Sequence, residues 1–119
     1  MNRTEFWSIS YPLGEVAKSI LRGEDDGAVA LLDALFENRP QMQESYEKSD
    51  RRYTKREYDF ESFLFDKSPV ELPVDKCKDL WLAHKALDTV YGANYPLCYY
   101  ALNKLKTELM HVKRSRESD

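Results

Sequence analysis

At 119 residues, with 18 basic and 21 acidic side chains and a formal net charge of -3, the chain suits one domain built on one core. Hydrophobic residues at 42% and aromatic residues at 13% argue against a disordered chain. The near balance of charge argues against a dedicated nucleic-acid binder, which carries a clear basic excess, but it leaves room for a local basic patch. No stretch approaches the ~20 apolar residues of a membrane span. Met1 to Ile9 holds no continuous apolar run of the kind a secretory signal needs. The expectation is a cytoplasmic protein with no membrane partner, and two cysteines fit a reducing compartment.

Thr4 to Tyr11 supports two readings. Phe6, Ile9 and Leu13 share a helical face, while Trp7, Ile9 and Tyr11 alternate as on a short strand. Glu15 to Arg22 then reads as a short helix with Val16, Ile20 and Leu21 as its stripe. Gly23 supplies the left-handed residue that ends it. Glu24, Asp25 and Asp26 offset the positive end of a following helix dipole. Ala28 to Phe36 is apolar nearly all round, which predicts a well-buried helix. It stops near Asn38, because Pro40 restricts Arg39 and cannot continue the ladder.

Gln41 to Asp59 is polar, with a thin stripe of Met42, Tyr46, Tyr53 and Phe60. Thr54 and Glu57 have the spacing of a capping box. A fresh helix from Lys55 to Phe65 and one long helix through both segments are both compatible with the pattern. Asp66 to Val74 contains Pro69 and Pro73 and reads as an extended internal linker. Asp75 then caps a helix from Lys76 to Tyr91 with Cys77, Leu80, Trp81, His84, Leu87 and Tyr91 on one face. Gly92 ends it. Asn94 caps a last helix carrying Leu97, Cys98, Ala101, Leu105, Leu109 and Val112, with Pro96 tolerated in its first turn. A connection this short predicts an antiparallel or steeply crossed helical hairpin. The chain therefore reads as all-α: one domain over 1–119, a compact bundle of about five helices ending in that hairpin. Its first ten residues are open to an extended alternative, 66–74 is the linker and 114–119 a frayed tail.

Cys77, His84, Cys98 and His111 are potential metal ligands. In an antiparallel hairpin about Ala93, Cys77 approaches His111 while His84 approaches Cys98. The two pairs lie on the order of 10 Å apart at 1.5 Å of rise per residue, too far for one zinc ion. The same register separates Cys77 from Cys98 too widely for a disulfide. No serine or cysteine sits in a nucleophile turn, and four glycines form no phosphate-cradling loop. The acids Glu44, Glu47 and Asp50 have helical spacing, but Lys48, Arg51 and Arg52 interleave with them, so intrahelical ion pairing is expected. No enzyme site, metal, cofactor or small-molecule substrate is expected.

Two binding readings remain. Arg51, Arg52, Lys55 and Arg56 interleave with Tyr53, a pattern that lets cations meet phosphates while tyrosine stacks on a base. Flanking acids cancel that charge formally. Leu87 to Cys98 also has the glycine spacing of a helix-turn-helix, but Asp88 replaces the usual small apolar residue, and Asn94 to Tyr100 holds no arginine, lysine or glutamine to read bases. The leading expectation is a non-enzymatic protein-interaction module, an adaptor, inhibitor, immunity factor or regulator, whose partner is another protein or a second copy. Its face would be built from two stripes, Tyr46, Arg52 and Tyr53 on one helix and Tyr95, Tyr99 and Leu102 on the last, because tyrosine and arginine anchor interfaces.

Overall fold

The computed structural model describes residues 3–64, 74–87 and 94–117, and among them it holds six helices and no strand. They are α1 (Arg3–Leu21), α2 (Asp25–Asn38), α3 (Pro40–Lys48), α4 (Arg51–Leu64), α5 (Val74–Leu87) and α6 (Tyr95–Glu117). The helical bundle expected from the pattern is the fold. It has one helix more than the expected five, because the polar stretch is two helices.

Residues 3–10 are not extended. α1 begins at Arg3 and runs through Pro12. Proline within a helix removes one backbone bond and costs about 3 kcal/mol or more. The offset is visible in the burial pattern. Ile9, Leu13, Val16 and Ile20 recur at spacings of three and four and are all buried, while Tyr11 points outward. Strand alternation would have put Ile9 and Tyr11 on the same face. Arg39, between α2 and α3, donates to the hydroxyl of Ser8 and ties the middle of α1 to the next layer.

Gly23 ends this element as expected, with φ at +75°. Its amide bonds the Ile20 carbonyl at 3.1 Å, and the Glu24 amide bonds Ser19 at 2.9 Å, which is the Schellman pattern. α2 then starts with Asp25 and Asp26 in its first turn. Its burial differs from the expectation. Ala28, Leu32 and Leu35 are buried, but Ala30 and Ala34 face solvent. Two small side chains make the sequence look apolar all round without requiring a second covered face.

The break between α3 and α4 falls at Ser49 and Asp50, four residues before the expected cap. Ser49 has extended backbone, and its hydroxyl donates to the Tyr46 carbonyl at 2.6 Å. The Asp50 carboxylate accepts from the amides of Arg52 at 3.0 Å and Tyr53 at 3.4 Å. That is N-cap chemistry, and a charged acceptor next to the positive helix end strengthens it. Thr54 is instead buried inside α4, with its hydroxyl donating to the Asp50 carbonyl at 3.3 Å.

α6 is the central helix. It packs against α2, α3, α4 and α5, while α1 covers α2 and α5 from the other side. The contact between α5 and α6 is the most extensive among the described helices. The Asn94 amide bonds the Ala86 carbonyl at 2.8 Å, so the last turn of α5 meets the start of α6. Asn94 caps α6 as expected, accepting from the Leu97 amide at 3.1 Å. Leu97, Cys98, Ala101, Leu102, Leu105 and Leu109 are all buried. Residues 114–117 belong to α6. Most of the expected linker 66–74, and the turn containing Gly92, lie outside the described residues; Val74 is the first residue of α5.

Candidate functional site

One tyrosine from each expected stripe meets the other. Tyr46 on α3 meets Tyr99 on α6, with ring centroids 5.2 Å apart. Tyr99 also meets Phe36 of α2 at 5.2 Å. On the other side Tyr46 approaches Tyr100 at 5.9 Å, and Tyr100 meets Tyr58 of α4 edge-on at 5.2 Å. Such tilted and edge-to-face pairs each stabilise by about 0.5–1.5 kcal/mol beyond the area they bury. The result is a five-ring ladder from α2 through α6 to α3 and α4. Burial pushes the Tyr99 phenol above its ordinary pKa, with Glu47 adding to the shift.

This arrangement sorts the six expected interface residues. Leu102 is a core residue at 0% exposure, because α6 is covered on several sides and not on one. Tyr46 and Tyr99 are half-buried against one another, and Tyr95 packs against the core. Arg52 and Tyr53 face solvent, Tyr53 at 55% exposure. The two stripes thus do not form one open face. The start of α6 is likewise covered. Asn94 is occupied by its own cap and donates to the Glu57 carboxylate at 3.4 Å, and Leu97 and Cys98 are buried. A groove-reading helix needs that first turn open.

Of the intrahelical ion pairing expected around the basic cluster, one pair forms among the described residues. Lys48 takes Glu44 at 2.8 Å, and this bond holds the exposed Glu44 carboxyl below its usual range. Glu47 accepts from Gln43 at 3.1 Å. Asp50 serves the backbone of α4. Tyr53 bonds Glu57, which raises the phenol pKa. Arg51 lies over the Tyr46 ring at 5.6 Å. Arg52, Lys55 and Arg56 are exposed and have no ion-pair partner among the described residues. Spacings of three and four put them on one side of α4.

A second site escaped the sequence reading. Asp79 on α5 is only 1% exposed. The Tyr58 hydroxyl donates to its Oδ1, and the Glu108 side chain of α6 also acts on this carboxyl. Lys104, one turn before Glu108, sets its ammonium 4.4 Å from the Tyr58 ring centroid. Burial pushes the Asp79 pKa up; Tyr58, Glu108 and the charges of Lys104 and Lys78 pull it back. A signal for Asp79 exists in the sequence. Asp79, Leu82, Ala83 and Ala86 recur at i, i+3, i+4 and i+7, a second stripe on α5 that the Leu80–Leu87 stripe obscures. Nothing local marks Tyr58 or Glu108 as its partners.

The metal candidates do not assemble among the described residues. Cys98 is buried with its thiol pushed up to about 12, which suits a packed side chain and not a ligand or nucleophile. His111 is exposed. The side chains of Cys77 and His84 lie outside the described residues. No group of three or more histidine, cysteine or acidic side chains placed to hold a metal occurs among the described residues, and no helix there is long and apolar enough to cross a membrane. Compared with protein-family models, curated proteins and solved structures, the chain has no match.

Proposed function

We propose that the chain is a non-enzymatic protein-interaction module whose docking face is the exposed side of α4. Arg52, Lys55 and Arg56 would meet carboxylates on a partner protein, and Tyr53 would supply contact area with a polar end. One observation carries this reading. Tyr53 stands open beside three basic side chains that pair with no acid among the described residues, while Tyr46, Tyr58, Tyr99 and Tyr100 are spent on the protein's own ladder. An adaptor, an inhibitor and an immunity factor would all use such a face. A second reading uses the same side chains with Arg51 on the phosphates of a nucleic acid. The net charge of -3 and the short length of the basic side favour an acidic protein surface.

Fluorescence anisotropy separates the two. The expected result is binding to acidic peptides that weakens tenfold or more in an Arg52→Ala/Arg56→Ala double variant, with no binding to single- or double-stranded oligonucleotides at the same salt. Oligonucleotide binding with a steep salt dependence selects the second reading. Peptide binding that survives the double variant and Tyr53→Ala moves the face off α4. A sizing measurement reports whether the partner is a second copy.

A further inference from the structure

From Arg51 to Arg56, α4 carries four basic and no acidic side chains. α2 is its opposite, with Asp25, Asp26, Asp33 and Glu37 and no lysine or arginine. Asp25 is buried. The other three recur at spacings of seven and four, which sets them along one line of the helix surface. Ala30 and Ala34 lie beside that line and are exposed, and Leu31 next to them is half-buried. The apolar run of α2 thus keeps an uncovered edge in the single chain. Glu37 pairs with no cation among the described residues. Asp33 accepts from Lys106 and keeps 47% of its side chain exposed.

We propose that the basic side of α4 takes as its partner the acidic side of α2 on a second copy of this chain. The inference rests on α4 being the docking face and names what occupies it. Charge complementarity carries it. Arg52 and Arg56 stand four residues apart, as do Asp33 and Glu37, so two guanidinium groups meet two carboxylates over about 6 Å at 1.5 Å of rise per residue. With the two helices antiparallel, Tyr53 falls on the alanine side of the acidic line. Ala30 and Ala34 leave room there for its ring, and Leu31 gives it an apolar neighbour. Asp59, three residues past Arg56, ends the basic side and confines the contact to the first two turns of α4. The exposed acids of other helices are already engaged: Glu15 pairs with Lys18, Glu44 with Lys48, and Glu47 accepts from Gln43.

The contact joins unlike faces, and each copy carries both. Two copies therefore close on each other reciprocally, or copies add head to tail. Exposed ion pairs are individually weak and are screened by salt, so the association is expected only at high protein concentration and low salt. A net charge of -3 on the whole chain opposes it only mildly.

Sedimentation velocity on the full chain tests this at about 50 mM and about 500 mM salt. The wild type is expected to sediment faster as its concentration rises at the lower salt, and as a monomer at the higher. Arg52→Glu/Arg56→Glu and Ala34→Lys/Glu37→Lys change exposed positions only. Each variant alone is expected to lose self-association by about tenfold or more. Mixed in equal amounts, the two are expected to associate again, because the reversed α4 of one now matches the reversed α2 of the other. Should a charge-reversed variant fail to fold, Arg56→Gln and Glu37→Gln carry the comparison as losses of self-association. A wild type that stays monomeric at the lower salt, an α2 variant that associates like the wild type, or a mixture that does not associate overturns the proposal. A monomer that still binds acidic peptides through Arg52 and Arg56 removes the second copy and leaves the docking face standing. A monomer that binds no acidic peptide removes both.

Discussion

The α5–α6 pair and the α3–α4 pair are built on different physics. α6 buries an unbroken stripe of aliphatic side chains from Leu97 to Leu109, and α5 answers with Leu80, Leu82, Ala83, Ala86 and Leu87. α3 and the described part of α4 bury only Met42, Thr54 and Tyr58. Those two helices are held by rings, caps and single polar bonds: Tyr46 on Tyr99 and Tyr100, Tyr58 on Tyr100 and Asp79, Asp50 on the amides of α4. Aliphatic burial is non-directional and grows with area. Ring and hydrogen-bond attachment is directional and leaves the rest of each helix exposed. A helix held along one edge is the one with a face to spare, and α4 displays its basic side chains there.

The sharpest way to break this contrast is to cut the aliphatic stripe. Leu105→Ala or Leu102→Ala should each cost about 2–5 kcal/mol in urea unfolding, the range for a buried leucine that leaves a cavity. A small cost at Leu102 would mean that α6 has an open face after all. Cutting the ladder comes next. Tyr46→Ala removes two ring pairs and should cost about 1–3 kcal/mol, with a change in near-ultraviolet circular dichroism from the tyrosines. Asp50→Ala removes the cap of α4 and should cost about 1 kcal/mol, read as raised amide exchange at Arg52 and Tyr53. The smallest effect is expected at Glu44→Gln. Its bond to Lys48 is fully exposed, so the urea midpoint should not move measurably.

Much of the core was legible in sequence because period and burial agree there. Leu97, Cys98, Ala101, Leu105 and Leu109 are both the periodic positions and the buried ones. Gly23 and Asn94 were legible for a different reason: a left-handed residue and an N-cap have local chemistry that few residue types supply. Three readings failed where a local cue competed with a non-local one. A short helix from Glu15 was expected, but a stripe on both sides of Pro12 carries α1 straight through. Thr54 and Glu57 matched a capping box, but Asp50 offered a charged acceptor earlier. Tyr46 and Tyr99 each looked spare on their own helix, and only their mutual approach shows how they are used.

By itself, the sequence determined the helical bundle, the stripes of its last helix, the end of α1 and the cap of α6, because each depends on spacing or on backbone chemistry within a few residues. The tertiary structure decided everything that depends on which helix lies opposite. It brought Tyr46 and Tyr99, one from each stripe, into one ladder, put Leu102 in the core, and left Arg52, Lys55 and Arg56 without an acid partner among the described residues. It also brought Asp79, Tyr58 and Glu108 together from three helices. Partners 21 residues apart, as Tyr58 and Asp79 are, leave no periodic trace in a chain, because the bond between them is set by packing and not by pitch.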